Sequence, residues 1–408
     1  MSVPVFEMGE APLDIIDGDR GKNYPKQNEL LDDGHCLFLS ATNVTKDGFV
    51  FDSCQFITES KDNSLRKGKV HRGDVILTTR GTLGNVAFYS DDVPFEHVRI
   101  NSGMVTIQSD VAKLRPRYLY YFLKSASFQS QVRALQSGAA QPQLPIRDIK
   151  KIKIPLPDVT FQDELAQFIG TYDDLIENNR RRIALLEDAA RLLHREWFVH
   201  QRFPGHEHTK IIDGVPEGWE IKPISALSSF ISRGITPTYD EEASGVVINQ
   251  KCIRQMKLNL DPARKQSKKV PEQKLVRPGD VLVNSTGAGT LGRVCQCHLH
   301  MEDLTVDSHV TIIRHADGIL PHWFGLSVIM KEKYIETLGR GATNQTELSK
   351  DDLGRVDILV PTGNLMAEFE EIISPLVQQI NALSSQIAQL ECARDLLLPR
   401  LMDGRIEV

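Results

Sequence analysis

The sequence predicts an α+β fold: two copies of one mixed α/β domain, each followed by a long helix, with the two helices paired as an antiparallel coiled coil. Three observations lead there. The segment Ile183-Ala184-Leu185-Leu186-Glu187-Asp188-Ala189-Ala190-Arg191-Leu192-Leu193 returns as Ile387-Ala388-Gln389-Leu390-Glu391-Cys392-Ala393-Arg394-Asp395-Leu396-Leu397, an offset of 204 in a chain of 408 residues, so a duplication spans the whole chain. Apolar residues around both segments recur at alternating steps of four and three, the coiled-coil spacing. Each periodic stretch is also longer than a domain is wide, since ~38 residues at ~1.5 Å per residue make a rod of ~57 Å. Two such rods bury their narrow stripes most simply on each other.

Residues 1–158 form the first domain and 219–362 the second. Gly73-Asp74 and Gly279-Asp280 each open a β-branched strand, Val75 to Thr79 and Val281 to Ser285. Each strand is followed by Thr-Leu-Gly, at Thr82 to Gly84 and Thr290 to Gly292, and then by a second short strand. A helix around Tyr118 to Leu135 matches one around Trp323 to Leu338, and each domain closes on a strand ending in proline, Pro155 or Pro361. Near the domain entries, Gly21 after Arg20 is matched with Gly234 after Arg233. The central helix occupies 159–199, with a stripe through Phe161, Leu165, Phe168, Tyr172 and Leu175, then Ile183, Leu186, Ala190, Leu193 and Trp197. A polar patch from Glu177 to Arg182 interrupts it. Residues 200–218 are a linker rich in His, Pro and Gly. The C-terminal helix occupies 363–403, its stripe running through Phe369, Ile372, Leu376, Ile380, Leu383, Ile387, Leu390, Leu397 and Leu401. Pro375 is expected to kink it or mark its true start.

Composition narrows the class. Hydrophobic residues make up 41% of the chain, as in globular proteins, and no apolar run approaches ~18 residues, which excludes a membrane helix. Six cysteines at irregular spacing suit a reducing cytoplasm better than a disulfide framework, and a soluble, cytoplasmic protein is expected. The net charge of −6 argues against indiscriminate nucleic-acid binding while leaving room for local basic patches.

Signals of catalysis do not hold up. Gly287-Ala288-Gly289-Thr290-Leu291-Gly292 has dinucleotide spacing, yet Arg293 to Cys297 reads as a strand where phosphate binding needs a helix. Cys295-Gln296-Cys297-His298-Leu299-His300 suggests a metal site, but its repeat mates are Ala87, Phe88 and Tyr89, so no metal is assigned. The chain has no Pro-Pro, hence no Asp/Asn-Pro-Pro-Tyr/Phe of an adenine methyltransferase, and no Gly-x-x-x-x-Gly-Lys-Ser/Thr phosphate loop.

The stretch Asp173-Asp174-Leu175-Ile176-Glu177-Asn178-Asn179-Arg180-Arg181-Arg182-Ile183 through Arg195-Glu196-Trp197-Phe198 resembles the central helix of the specificity subunits of type I restriction-modification systems. Leu397-Leu398-Pro399-Arg400-Leu401-Met402-Asp403-Gly404-Arg405-Ile406 is similar to that family's distal region, and Val215-Pro216-Glu217-Gly218-Trp219-Glu220 to the entry of its second domain. The resemblance implies a non-catalytic subunit in which two target-recognition domains each read half of a bipartite site in double-stranded DNA. It further implies docking of two modification subunits and of restriction subunits, with S-adenosylmethionine, ATP and Mg on those partners and no cofactor on this chain. The two domains differ in detail, so an asymmetric site is expected, its half-site centres ~34–36 Å apart. A self-contained modification enzyme and a coiled-coil adaptor without DNA are the alternatives.

Between Lys251 and Arg277 nine basic residues face two acidic ones, a pattern suited to phosphate contact, and Arg254, Lys268 and Lys269 are taken from it as DNA-binding candidates. Base reading calls for Arg, Asn, Gln, Ser or Thr on protruding loops. Candidates in the first domain are Lys22, Asn23 and Tyr24, Arg80 and Thr82, and Gln141 and Gln143. In the second they are Thr236, Thr238 and Tyr239, Asn284 and Thr286, and Arg340, Thr343, Asn344 and Gln345. Asn178, Asn179, Arg180, Arg181 and Arg182, with Trp197, are the partner-docking candidates, because three consecutive arginines cannot all face one helix. A buried asparagine setting the register is the other reading of that patch.

Overall fold

A computed structural model of the chain describes residues 3–136, 142–341, 346–402 and 406. The chain folds into two compact units, one of residues 1–178 with 386–408 and the other of residues 179–385, so each unit contains one α/β domain and half of each long helix.

In the first unit an antiparallel sheet runs in the order Leu13–Asp17, Met104–Ser109, Val75–Thr78, Val86–Phe88. A second sheet runs Phe56–Ile57, Cys36–Leu39, Val98–Ile100, Lys69–Val70, with its two middle strands parallel. The second unit repeats both. Ser228–Arg233, Val310–His315, Val281–Asn284 and Val294–Gln296 form the antiparallel sheet. Arg264–Gln266, Gly245–Ile248 and Leu304–Val306 form the other, again with a parallel pair. Register is repeated as well: Ile76 faces Ala87, and Leu282 faces Cys295. The Gly-rich segment after Asn284 is therefore the turn between two antiparallel strands.

The strand registers correct one match made from sequence. Asp17 faces Val105 and Arg233 faces Thr311, which makes Gly18, not Gly21, the counterpart of Gly234. Both glycines answer one steric demand. A Cβ on Gly18 would lie 2.2 Å from the carbonyl oxygen of Asn101, and one on Gly234 only 1.8 Å from that of Val306.

The central helix spans Val159–His194 and continues through a π turn at Arg195–Val199. The C-terminal helix spans Leu365–Met402 without a break at Pro375, which is exposed and lies ten residues inside it. The two helices pack together, antiparallel. In the first unit Arg394 of the C-terminal helix pairs with Asp173 of the central helix at 2.8 Å. In the second unit it is the start of the C-terminal helix that meets the end of the central one, with Phe369 against His194, Trp197 and Phe198.

The buried stripe of the central helix differs from the expected one. Leu165, Ile169, Ile176, Asn179 and Ala190 are buried, with Tyr172, Ile183 and Leu186 half-buried between them, whereas Phe168 and Leu175 are exposed. This is an unbroken alternation of four and three, and it passes through the polar patch at Asn179. On the C-terminal helix Ile373 takes the place expected for Ile372, and Arg394 occupies a position on the stripe.

The core of the first unit gathers Leu165, Ala166 and Ile169 with Leu398, Leu401 and Met402 under the helices Pro116–Lys124 and Ala126–Leu135. The second unit gathers Ala190, Trp197, Phe198, Phe369 and Ile373 under Pro321–Ile329. Burial of such apolar surface drives the folding of each unit, at about 25 cal/mol per Å². The linker folds into a small hairpin, Ile211–Ile212 with Val215–Pro216, and Phe203 packs 4.9 Å from Trp219.

Candidate nucleic-acid interface

Both Gly-Asp turns are built by the aspartate itself. Asp74 accepts from the His71 backbone N–H at 2.8 Å and from the Gln108 amide at 2.9 Å. Asp280 accepts from the Arg277 N–H at 2.8 Å and takes Arg314 in a fork, at 2.8 and 2.7 Å. Burial raises the Asp74 carboxyl above the ordinary range, with the amide and N–H bonds opposing. Each anchored turn feeds a buried strand whose far end emerges at the candidate residues.

In the first unit that end carries Arg80, bridged through its backbone to Gln143. Arg80, Gln143, Asp17 and Arg20 line a cleft of about 210 Å³. Arg20 is held by Asp17 at 3.2 Å and by the Ser102 carbonyl at 3.3 Å. Thr82 is exposed and donates to the Ala41 carbonyl at 3.3 Å. Lys22 is exposed on a turn nearby in sequence. Its neighbours face the protein: Asn23 donates to the Ser64 carbonyl at 3.0 Å, and Tyr24 packs edge-on against Phe38.

The second unit gathers the equivalent loops. Thr286 and Arg340 both bridge to Glu347. The Thr286 hydroxyl is 2.7 Å from His309 Nδ1, and Arg340 pairs with Asp352 at 2.8 Å. Arg233 binds both the Glu347 carboxylate and the Leu348 carbonyl. A second cluster joins Thr236, Thr238 and Tyr239 to the basic segment. Lys268 donates to the Thr236 carbonyl at 2.9 Å, Ser267 to the Thr238 carbonyl at 2.9 Å, and the Arg264 guanidinium lies 3.5 Å over the Tyr239 ring. Lys269, next to Lys268 in the chain, and Arg254 are exposed. Lys257 is turned to the central helix, 2.6 Å from Glu187.

Two candidates are corrected. Asn284 is fully buried and donates its amide to the Gln250 carbonyl at 2.9 Å, so it supports a turn from within and presents nothing to a ligand. Trp197 is 8% exposed in the second unit's core, against Phe198 and Phe369, and is not a docking surface. Asn178, Arg180, Arg181 and Arg182 are exposed on the central helix, while Asn179 is buried. Gln141, Thr343, Asn344 and Gln345 lie outside the described residues. Arg20, Arg233, His309 and Glu347 were not among the candidates. The two arginines were visible only as the residues before a glycine; Glu347 joins the site through long-range strand bridges and His309 through its ring contact with Thr286, neither of which local sequence reveals.

The buried thiols show no sign of activation. Burial pushes Cys297 up to about 11 and Cys295 well above the ordinary thiol value. Among the described residues no cluster of three or more His, Cys, Asp or Glu could hold a metal ion.

Residues 13–188 match the family described as type I restriction modification DNA specificity domain. The specificity subunit of the type I restriction enzyme MjaIX from Methanocaldococcus jannaschii is 24% identical over 357 residues, covering 83% of this chain and 78% of that protein. The HindI specificity subunit from Haemophilus influenzae is 21% identical over 472 residues, covering 95% of this chain and 98% of that protein. In fold, the S subunit of a type I restriction-modification system from M. genitalium aligns with a TM-score of 0.55 at 16% identity, over 98% of this chain and 95% of that one. The doubled α/β domain and the paired long helices thus accompany a sequence likeness, over most of the chain, to specificity subunits of type I restriction enzymes.

Proposed function

We propose that this chain is the DNA sequence-recognition subunit of a type I restriction-modification complex. Each unit reads one half of a bipartite, asymmetric site, and the paired helices fix the spacer and dock the modification subunits. The observation that carries this reading is the repetition of one strand order and register around loops of different chemistry. A duplicated scaffold with unlike loops suits two unlike half-sites. Exposed Arg180, Arg181 and Arg182 supply the docking charge, continued by exposed Leu185 and Leu192 along the same helix.

Methylation and cleavage belong to partner subunits, two modification subunits and the restriction subunits, which carry S-adenosylmethionine, ATP and Mg. The complex works in the cytoplasm. All six cysteines are free, and among the described residues no helix is long and apolar enough to cross a membrane. The test is methylation sequencing of DNA from cells expressing the chain with its modification subunit, compared with cells lacking the chain. A single bipartite adenine-methylated motif that vanishes with the chain is the expected result. Methylation indifferent to the chain would contradict it and favour an adaptor without DNA.

A further inference from the structure

We propose that Arg80 is the side chain with which the first unit reads a guanine in its half of the target, an inference that rests on the DNA-recognition reading above. Arg80 directly follows the buried strand Val75–Thr78 and Thr79, and its main chain is pinned on two sides. Its N–H donates to the Gly103 carbonyl at 3.2 Å, and its backbone bridges to Gln143. The side chain is exposed and, among the described residues, makes no hydrogen bond or ion pair. A fixed main chain beneath an uncommitted guanidinium is the arrangement that positions a donor fork without using it in the fold.

The neighbours single this residue out. Arg20, in the same cleft, is already bonded to Asp17 and the Ser102 carbonyl, so Arg80 is the cation with its donors still available. The second unit offers a built-in contrast. Its counterpart of Arg80 is Thr286, engaged with His309, and the charges around it are neutralised, Arg233 by Glu347 and Arg340 by Asp352. The guanidinium is planar with forked donors, and its natural match in the major groove is the O6 and N7 pair of guanine. A phosphate contact would be served by any cation, which makes lysine the informative substitution.

The experiment compares the full chain with its Arg80→Lys and Arg80→Ala variants, each co-expressed with the modification subunit, and sequences the methylated motif. Both variants should lose discrimination at one guanine of the first half-site by about ten- to a hundredfold, with the second half-site and the spacer unchanged. An Arg80→Lys variant that keeps the wild-type motif, or an even fall in methylation with no base relaxed, would overturn the assignment in favour of phosphate contact. A binding measurement needs no variant. The wild-type complex should bind duplexes carrying 7-deazaguanine at that position less tightly than unmodified DNA, and equal binding at every guanine of the half-site would equally overturn it. A wild-type chain that directs no bipartite motif would instead remove the recognition reading beneath.

Discussion

Gly18 and Gly234 each pass so close to a crossing carbonyl that no side chain fits, which makes them the points where the two sheets of each unit are stitched together. Replacing Gly234 with alanine should destabilise the second unit by about 2–3 kcal/mol, because the obstructing atoms are backbone and relax little. Thermal melting checks this, and a melting temperature within a degree of wild type would show that the strands can part there. This demand was only half legible in the sequence. A glycine was visible near each domain entry, but unequal loop lengths led to Gly21, and strand register was needed to find Gly18. His194 is a second residue decided by surroundings. Burial beside Phe198 and Phe369 lowers its pKa to about 3, and its Nε2 lies 2.9 Å from the Ser327 hydroxyl. A base held neutral in the fold binds its proton on unfolding, so its contribution is intact above about pH 6.5 and is lost as the pH falls toward 3. His298, lowered to about 4 by burial first and by His322 second, acts in the same direction. His194→Gln should therefore flatten the fall in stability between pH 6.5 and 4; an unchanged slope would assign it to other groups. Asn284 shows the converse limit, since its residue type suits base reading and only its burial excludes it.

At the scale of elements, the long helices were legible because their period persists through about five heptads, well beyond chance. The stripe within them was less so. Phe168 stands beside Ile169, Leu175 beside Ile176 and Ile372 beside Ile373, and a choice between adjacent apolar residues turns the helix by ~100° without disturbing the four-three rhythm. Packing selects the second member of each pair, which carries the stripe through Asn179. A polar residue on such a stripe fixes register at some expense in stability; here Asn179 is buried on the stripe and the three arginines beside it are exposed. Pro375 was expected to end or kink the C-terminal helix, whereas its exposed face lets the helix continue at the loss of one backbone hydrogen bond. Pro375→Ala should accordingly stabilise the second unit by about 1–3 kcal/mol, seen as a raised denaturation midpoint. A lowered midpoint would mean that the proline ring does packing that its exposure does not suggest.

For the whole molecule, the duplication was legible at once, because a copied scaffold must keep the turns and strand starts that build it. Gly73-Asp74 and Gly279-Asp280 persist since each aspartate closes its own turn. The composition of the sites was not legible, because Arg80 with Gln143 and Thr286 with Glu347 come together from segments about sixty residues apart. What the two units share is therefore architecture, and what separates them is the chemistry at the strand ends, where the first leaves a cation uncommitted and the second pairs its own. The most direct test of one unit for one half-site is to replace residues 219–362 with the corresponding domain of a relative that has a different target, and to sequence the methylation that results. One half of the motif should change to the donor's while the other half and the spacer stay as they were. A change in both halves, or a motif no longer bipartite, would contradict the division of recognition between the two units.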